Sequence, residues 1–416
     1  MTRHFWVLAH RYAGLAIAGF LVIAGITGSL LAFYDEIDTA LNPELMLVED
    51  RSDVPLLDPL VLRERVERAL PGNAHLDYHP LHREPGRSHK LYAWRLVGPE
   101  GAQTLRFYEV FANPYTAEVL GERERGAWVL DRAHFMPLMY QLHYALTIPY
   151  PWGMWLFGVI SFVWLFDSFV GFYLTLPRRR EGFWKGWKPA WLVKWSGSAY
   201  RINFDLHRAL SLWLWGMLIL FAVSSVSLNL KDELYLPVLK RIVPTVDAHE
   251  HLPDLHHAPL MQANMGWEQA RERGRELMAA RAARHGFAIE QEDAIMFARE
   301  HGAWYYSVMS DQDFADDHGH TVLYFSAQDE HGAELAFEHP KIAPGNTFTS
   351  WLAALHMGKV FGLPYRLLVL VMGLVIAVLS VTGVVIWWRK RRGRRAVPAE
   401  AVAPTTAAPR MREDLA

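Results

Sequence analysis

Four stretches of the chain are apolar over lengths that cross a bilayer: Ala13–Tyr34, Trp152–Leu176, Leu210–Leu230 and Tyr365–Trp388. At 1.5 Å per residue, roughly 21 residues give about 32 Å of helix, close to the hydrocarbon thickness, so each predicts a transmembrane helix. The first stretch is too long for a signal-peptide core. Acidic Asp35 and Glu36 stand where a small-residue cleavage site would lie, so it reads as an uncleaved anchor. Between the spans the period changes. In residues 35–136, LRERVERAL predicts an amphipathic helix, and HLDYH, KLYAWRLV and LRFYEVFANPYTAEVLGE alternate as strands around an NPYT turn. In residues 231–346, WEQARERGRELMAARAARHG predicts a helix and AWYYSVMS, TVLYFSAQ and AELAFEHP predict strands. The expected fold is therefore an α-helical integral membrane protein with four spans and two α+β domains outside the membrane.

Charge orients this plan. Arg3 and Arg11 precede the first span, Arg178, Arg179 and Arg180 follow the second, and Arg389 to Arg395 follow the fourth. The excess of cations places these ends in the cytoplasm. The expected order is residues 1–34 as N-terminus and first span, 35–136 as a periplasmic domain, and 137–176 as a ligand-bearing segment with the second span. A cytoplasmic loop at 177–206, a third span at 207–230 and a second periplasmic domain at 231–346 follow. Residues 347–388 form a segment with the fourth span, and 389–416 a basic tail expected to be disordered from Ala396.

The halves repeat. HRYAGL opens the first span and HRALSL the third. QLHYALTIPYPWG precedes the second span and ALHMGKVFGLPYR the fourth, and His143 to Gly171 spans nearly the same distance as His356 to Gly383. Such repeats place sites at their interface.

Composition narrows the chemistry. The chain is 51% hydrophobic with 17 Trp, and its net charge of -2 carries no nucleic-acid signature. It has no cysteine, which excludes disulfides, iron–sulfur clusters, thiol catalysis and covalent haem attachment, and it has 20 His. Four of these fall at repeat-equivalent membrane edges: His10 and His207 on the cytoplasmic side, His143 and His356 on the outer side. Two imidazoles per side suit two bis-histidine haems, with pairing His10–His207 and His143–His356. Arg11 and Arg208 on the inner side, and Lys359 and Arg366 on the outer side, are candidate propionate partners. Zinc is the rival metal, although its sites take three or four close ligands.

HRYAGL at 10–15, LHYAL at 142–146, DLHRAL at 205–210, LHMGKVFG at 355–362 and VTGVVIWWRKR at 381–391 resemble the PepSY-associated transmembrane family, which includes bacterial iron-regulated siderophore reductases. FANPYTAEVLG at 111–121 resembles the PepSY turn, with Asn113 and Ala117 in place of Asp and Gly, so a looser or differently bonded turn is expected. The resemblance covers almost the whole chain. It implies extracytoplasmic PepSY-like domains, two b haems in some members, axial roles for His10, His143, His207 and His356, and electron transfer to ferric siderophores.

Other residues carry weaker signals. Asp167, inside the second span with Leu379 as its repeat equivalent, is either a proton relay or a carboxylate that snorkels to water. The loops at 249–257 and 311–320 are rich in His and Asp, side chains that could bind hard iron or zinc, although short loops of this composition are commonly just solvated. Trp155, Trp164, Trp213, Trp215, Trp387 and Trp388 read as interface and packing residues, or as aids to electron passage. No G-x-G-x-x-G follows a strand, so the donor is a quinol, a flavoprotein or another soluble reductant. The leading expectation is an inner-membrane di-haem b oxidoreductase that reduces a periplasmic ferric siderophore to release Fe(II). The alternatives are a PepSY-type binding or assembly protein without redox activity, and a siderophore or metal permease.

Overall fold

The computed structural model describes residues 2–51, 53–98, 104–179 and 181–395; the expected disorder of the tail from Ala396 lies outside them. α1 (Arg3–Leu31) starts earlier than the apolar run, because the Thr2 hydroxyl caps it by accepting from Phe5 N at 3.4 Å. His10 and Arg11 thus sit inside the helix rather than on its first turn. Two short helices follow, α2 (Tyr34–Leu41) and α3 (Pro43–Met46), and lead to α4 (Pro59–Ala69), whose first turn Asp58 caps.

The first four strands are β1 (Ala74–Pro80), β2 (His89–Val97), β3 (Thr104–Ala112) and β4 (Val119–Glu124). In the β3–β4 turn, Asn113 Oδ1 accepts from Tyr115 N at 2.9 Å, and Ala117 takes a positive φ of 64° where the family pattern has Gly. The turn is closed by the amide side chain, so its bonding survives the replacement of Asp.

α5 (Phe135–Ala145) leads into α6 (Trp152–Thr175), the second span. The segment expected to be a loop holds α7 (Phe183–Trp187), a 3-10 turn Lys188–Trp191 and the first turns of α8 (Ala199–Trp213), which Ser198 caps. The third span is not one rod. α8 and α9 (Trp215–Asn229) bend by 71° at Leu214. The tryptophans either side of the break are tied to different elements: Trp213 Nε1 donates to Trp191 O, and Trp215 Nε1 to Ser168 O. Among the described residues three helices, α1, α6 and the last one below, are long and apolar enough to cross a membrane singly, and the bent pair passes the same test when its two helices are taken together.

α10 (Leu236–Ile242) and α11 (Trp267–His285) precede β5 (Ile289–Ala298), β6 (Ala303–Ser310), β7 (Thr321–Ser326) and β8 (Glu334–Glu338). α12 (Pro344–Met357) then leads into α13 (Gly362–Arg395), the last span.

The two outer segments do not form separate sheets. Their strands make one antiparallel eight-stranded sheet, ordered β4-β3-β2-β1-β5-β6-β7-β8. The join is β1–β5, where Tyr78, His79 and Pro80 pair with Met296, Ile295 and Ala294. β5 has no counterpart among the strands expected from the sequence. Leu62 and Val66 of α4 pack on β1–β3, while Met278 of α11 shares a core with Ile295, Trp304 and Leu323, which Leu60 of α4 also enters. α1 packs along α13 and α6 along α9, so each helix of one repeat meets one of the other.

Candidate functional site

The four histidines fall into two facing pairs. At the end of the spans remote from the sheet, the rings of His10 on α1 and His207 on α8 stand 6.2 Å apart between centres. At the end near the sheet, His143 on α5 and His356 on α12 stand 6.1 Å apart. The sheet-proximal rings come from the short helices before each span, and the remote rings from α1 and α8 themselves.

Each ring is held by the nitrogen on its protein side. His10 Nδ1 lies 2.9 and 3.0 Å from the two oxygens of Asp167, and His207 Nδ1 lies 3.0 Å from Leu379 O and 3.1 Å from Thr382 Oγ1. His143 Nδ1 lies 3.0 Å from Ala24 O. His356 Nδ1 lies 2.7 Å from Ser224 Oγ, whose own hydrogen goes to Leu220 O at 2.8 Å. A carboxylate and two carbonyls can only accept, so Nδ1 of His10, His207 and His143 carries a hydrogen and their neutral rings present Nε2 with its lone pair. Ser224 Oγ, when it donates to Leu220 O, accepts from His356 Nδ1 in the same way. This is the tautomer a metal-binding imidazole needs, with the outer partner fixing ring orientation.

The duplication extends to these partners. The offset that relates His10 to His207 also relates Ala24 to Phe221 and Thr27 to Ser224. Thr27 Oγ1 is 3.2 Å from His143 Nδ1, as Ser224 is beside His356, and Phe221 packs edge-on to His356. Glycines give the rings room. A Cβ at Gly28 would stand 2.8 Å from His143 Cε1, and at Gly383 3.2 Å from His207 Cε1. The repeats differ at one point: where Asp167 offers a side chain to His10, its equivalent Leu379 offers only a backbone oxygen to His207. Asp167 is 10% exposed, so it faces an imidazole rather than water.

A cavity of about 410 Å³ opens beside the remote pair. His10, His207 and Asp167 line it, with Trp164, Trp215 and Trp387 on its apolar wall and Arg3, Arg11, Arg208 and Lys390 among its cations. Arg208 also donates to Asp205 Oδ1 at 2.8 Å. The cations expected near the other pair are already paired: Lys359 Nζ lies 3.0 Å from Asp317, and Arg366 donates to Glu36 at 2.7 Å and to Ala32 O at 2.9 Å.

The His- and Asp-rich loops do not converge on an ion. Asp313 closes the β6–β7 turn by accepting from Ser310 N at 2.8 Å and from His320 N at 2.6 Å. In the other loop, Glu250 takes Lys240 at 2.8 Å, while Asp254 binds its neighbour His256. Among the described residues, no group of three or more His, Asp or Glu side chains is arranged to hold a metal. Each histidine pair supplies two imidazoles, the number haem takes on its two faces and fewer than a zinc site uses. A metal held by two imidazole nitrogens at 2.0–2.1 Å would place their ring centres roughly 6 Å apart, the spacing of both pairs, and the cavity beside the remote pair adds an apolar slot there.

Asp167, Thr27, Ser224 and Thr382 are the residues that pattern reading assigns no part in holding the rings. Asp167 alone carried a signal, its charge within a span. A family model described as PepSY-associated TM region matches residues 7–390, nearly the whole chain. No curated protein matches it.

Proposed function

The chain belongs to the PepSY-associated TM family, and from that premise we propose that this membrane protein is a di-haem b oxidoreductase of the bacterial inner membrane. It passes electrons across the bilayer to a ferric chelate, of which a siderophore is the expected form. The reading rests on one observation above the others: two histidine pairs, 6.2 and 6.1 Å between ring centres, with Nδ1 of every ring tied to the protein.

In this reading His10 and His207 hold the haem on the cytoplasmic side, and His143 and His356 the haem on the periplasmic side, beneath the sheet. Both termini are cytoplasmic, and the sheet is periplasmic. Bound b-type haem supplies reversible one-electron chemistry at iron. The protein's own groups do the rest. Asp167, Leu379 O, Ala24 O and Ser224 fix the rings and make the coordinating nitrogens more basic. The apolar cavity wall excludes water, and Arg11 and Lys390 offer charge to propionates at its rim. Arg208 is shared with Asp205, and Lys359 and Arg366 are occupied by Asp317 and Glu36, so Arg11 is the best placed of the four expected propionate partners. On the periplasmic side one electron converts each Fe(III) to Fe(II), a softer ion that hard oxygen donors hold less well. The electron donor is a quinol or a flavoprotein on the inner side.

The test is the absorbance of protein purified from haem-replete cells. A Soret band with a sharp α-band on dithionite reduction is expected. His143→Ala or His356→Ala should remove about half of it, and His10→Ala or His207→Ala the other half, since each pair serves one of two haems. A colourless protein, or four variants that all retain full haem, overturns the reading.

A further inference from the structure

The segment joining α6 to α8 carries chemistry that the histidine pairs do not use. It reads FWKGWKPAWLVKW over residues 183–195 and lies against the last turn of α6, at the end remote from the sheet. Trp187 Nε1 donates to Thr175 Oγ1 at 3.2 Å, and Trp213 Nε1 to Trp191 O at 3.0 Å. The indoles of Trp184, Trp187, Trp191 and Trp213 follow one another at 5.7, 5.1 and 5.1 Å between ring centres. This ladder pins the segment at the level where the span ends.

Two of its properties need a partner outside the chain. Trp184, Trp195 and Trp213 at its margins are 74%, 70% and 67% exposed, the placement of indoles that sit in a bilayer interface. Beside them is a cavity of about 400 Å³ lined by Lys185, Lys188, Lys194 and Arg201, with Asp205 the one carboxylate. Asp205 is buried and already takes Arg201 at 2.7 Å and Arg208 at 2.8 Å. Among the described residues no carboxylate pairs with Lys185, Lys188 or Lys194. Three lysines with no such carboxylate partner line one hollow at the level where α6 ends, and their ammonium groups match a phosphate with its negative charge.

We propose that this hollow binds the phosphate of an anionic phospholipid headgroup, with Lys185, Lys188 and Lys194 around the phosphate and Trp184 and Trp195 beside the glycerol and upper acyl chains. The lipid then holds the α6–α8 connection against the membrane, next to the helix that carries His207. This site is independent of any haem. Its ligand is lipid rather than free phosphate, because the exposed indoles flank the same cations.

The test compares the full-length protein with Lys185→Gln/Lys188→Gln/Lys194→Gln and with the charge-keeping Lys185→Arg/Lys188→Arg/Lys194→Arg. All are exchanged into mixed micelles of phosphatidylglycerol and phosphatidylcholine. Retained lipid is read by native mass spectrometry, and proximity by quenching of tryptophan fluorescence with brominated phosphatidylglycerol. Each lysine near a headgroup contributes about fivefold in affinity. The wild-type and Arg proteins should therefore retain phosphatidylglycerol preferentially, and the Gln protein should lose that preference by roughly an order of magnitude or more. Equal selectivity in all three overturns the proposal. So does stabilisation of the wild type, but not the Gln protein, by inorganic phosphate without any preference for phosphatidylglycerol, which would make free phosphate the ligand. Elution as one sharp peak by all three on size exclusion confirms that folding is not what differs.

Discussion

Asp167 is the one carboxylate in α6, and it is spent on an imidazole. Its two oxygens lie 2.9 and 3.0 Å from His10 Nδ1, whereas His207, His143 and His356 lean on neutral acceptors. A hydrogen bond to a charged acceptor is roughly twice as strong as one to a neutral acceptor, and it pushes electron density onto the ring. On the di-haem reading this favours the oxidised iron on the His10 side, so the inner haem has the lower potential and electrons run downhill towards the sheet. Asp167→Asn keeps an oxygen acceptor and removes the charge. A redox titration followed at the α-band should show one of two components shifted upward by on the order of 60 mV, a tenfold change for one electron. If haem is bound and neither midpoint moves, the carboxylate does not set the potential. The histidines were legible because the duplication repeats them. The bond from Asp167 to His10 was not, because it links residues far apart in sequence and exists only once α1 and α6 are packed.

At the scale of helices, α1 and α13 approach closely enough for their backbones to meet. A Cβ on Gly25 would stand 2.4 Å from Gly373 O, and Ser29 donates to Leu370 O at 2.8 Å. Small residues spaced four apart let two backbones meet where lipid gives no hydrophobic drive. Gly25→Val has no room to relax sideways, since the obstacle is backbone. It should force the helices apart and cost about 1–3 kcal/mol, the usual range for overpacking. Thermal unfolding in detergent would show this as a lowered midpoint, while Gly19→Val, whose Cβ would meet nothing within 4 Å, should leave it nearly unchanged. Equal loss in both variants would rule out the close crossing. Apolar runs gave the spans but not their shape. Leu210–Leu230 is continuous in hydropathy, and the break at Leu214 depends on where Trp213 and Trp215 find acceptors. β5 escaped for the opposite reason. Its first half, IEQED, is polar because Glu292 meets Arg271 and Arg275 of α11 and Asp293 accepts from Ser307 of β6, not because the segment is a loop.

Those arginines decide how the whole outer part behaves. Arg271 on α11 donates to Glu292 of β5 at 2.6 Å and to Asp58, the cap of α4, at 2.9 Å, so it spans the two segments that hydropathy separates. Arg299 grips Asp77 of β1 with two bonds of 2.8 Å, and Arg63 of α4 lies 3.8 Å over the Trp267 ring of α11. With the β1–β5 ladder, these contacts make one folding unit from two sequence-distant halves. Burial alone would raise the carboxyl pKa of Glu292, but the bonds from Arg271, Arg275 and Tyr306 outweigh it and bring it down to about 2. The pKa is lower in the folded protein than in the unfolded chain. Its stabilisation is therefore complete above the ordinary carboxylate range near 4.5 and is lost as the pH falls from there towards 2. Two consequences follow for unfolding of the sheet, read by hydrogen exchange and by denaturant melts at pH 7, 5 and 3. The wild type should lose stability mainly between pH 5 and 3. Arg271→Met should be less stable at pH 7 but should lose less over that interval, because part of the pKa depression has gone. Amide protection should also fall together in β1–β4 and β5–β8, even though among the strands Arg271 hydrogen-bonds to β5. If protection falls in β5–β8 alone, the sheet is two units that merely abut, and the seam through Arg271 does not couple them.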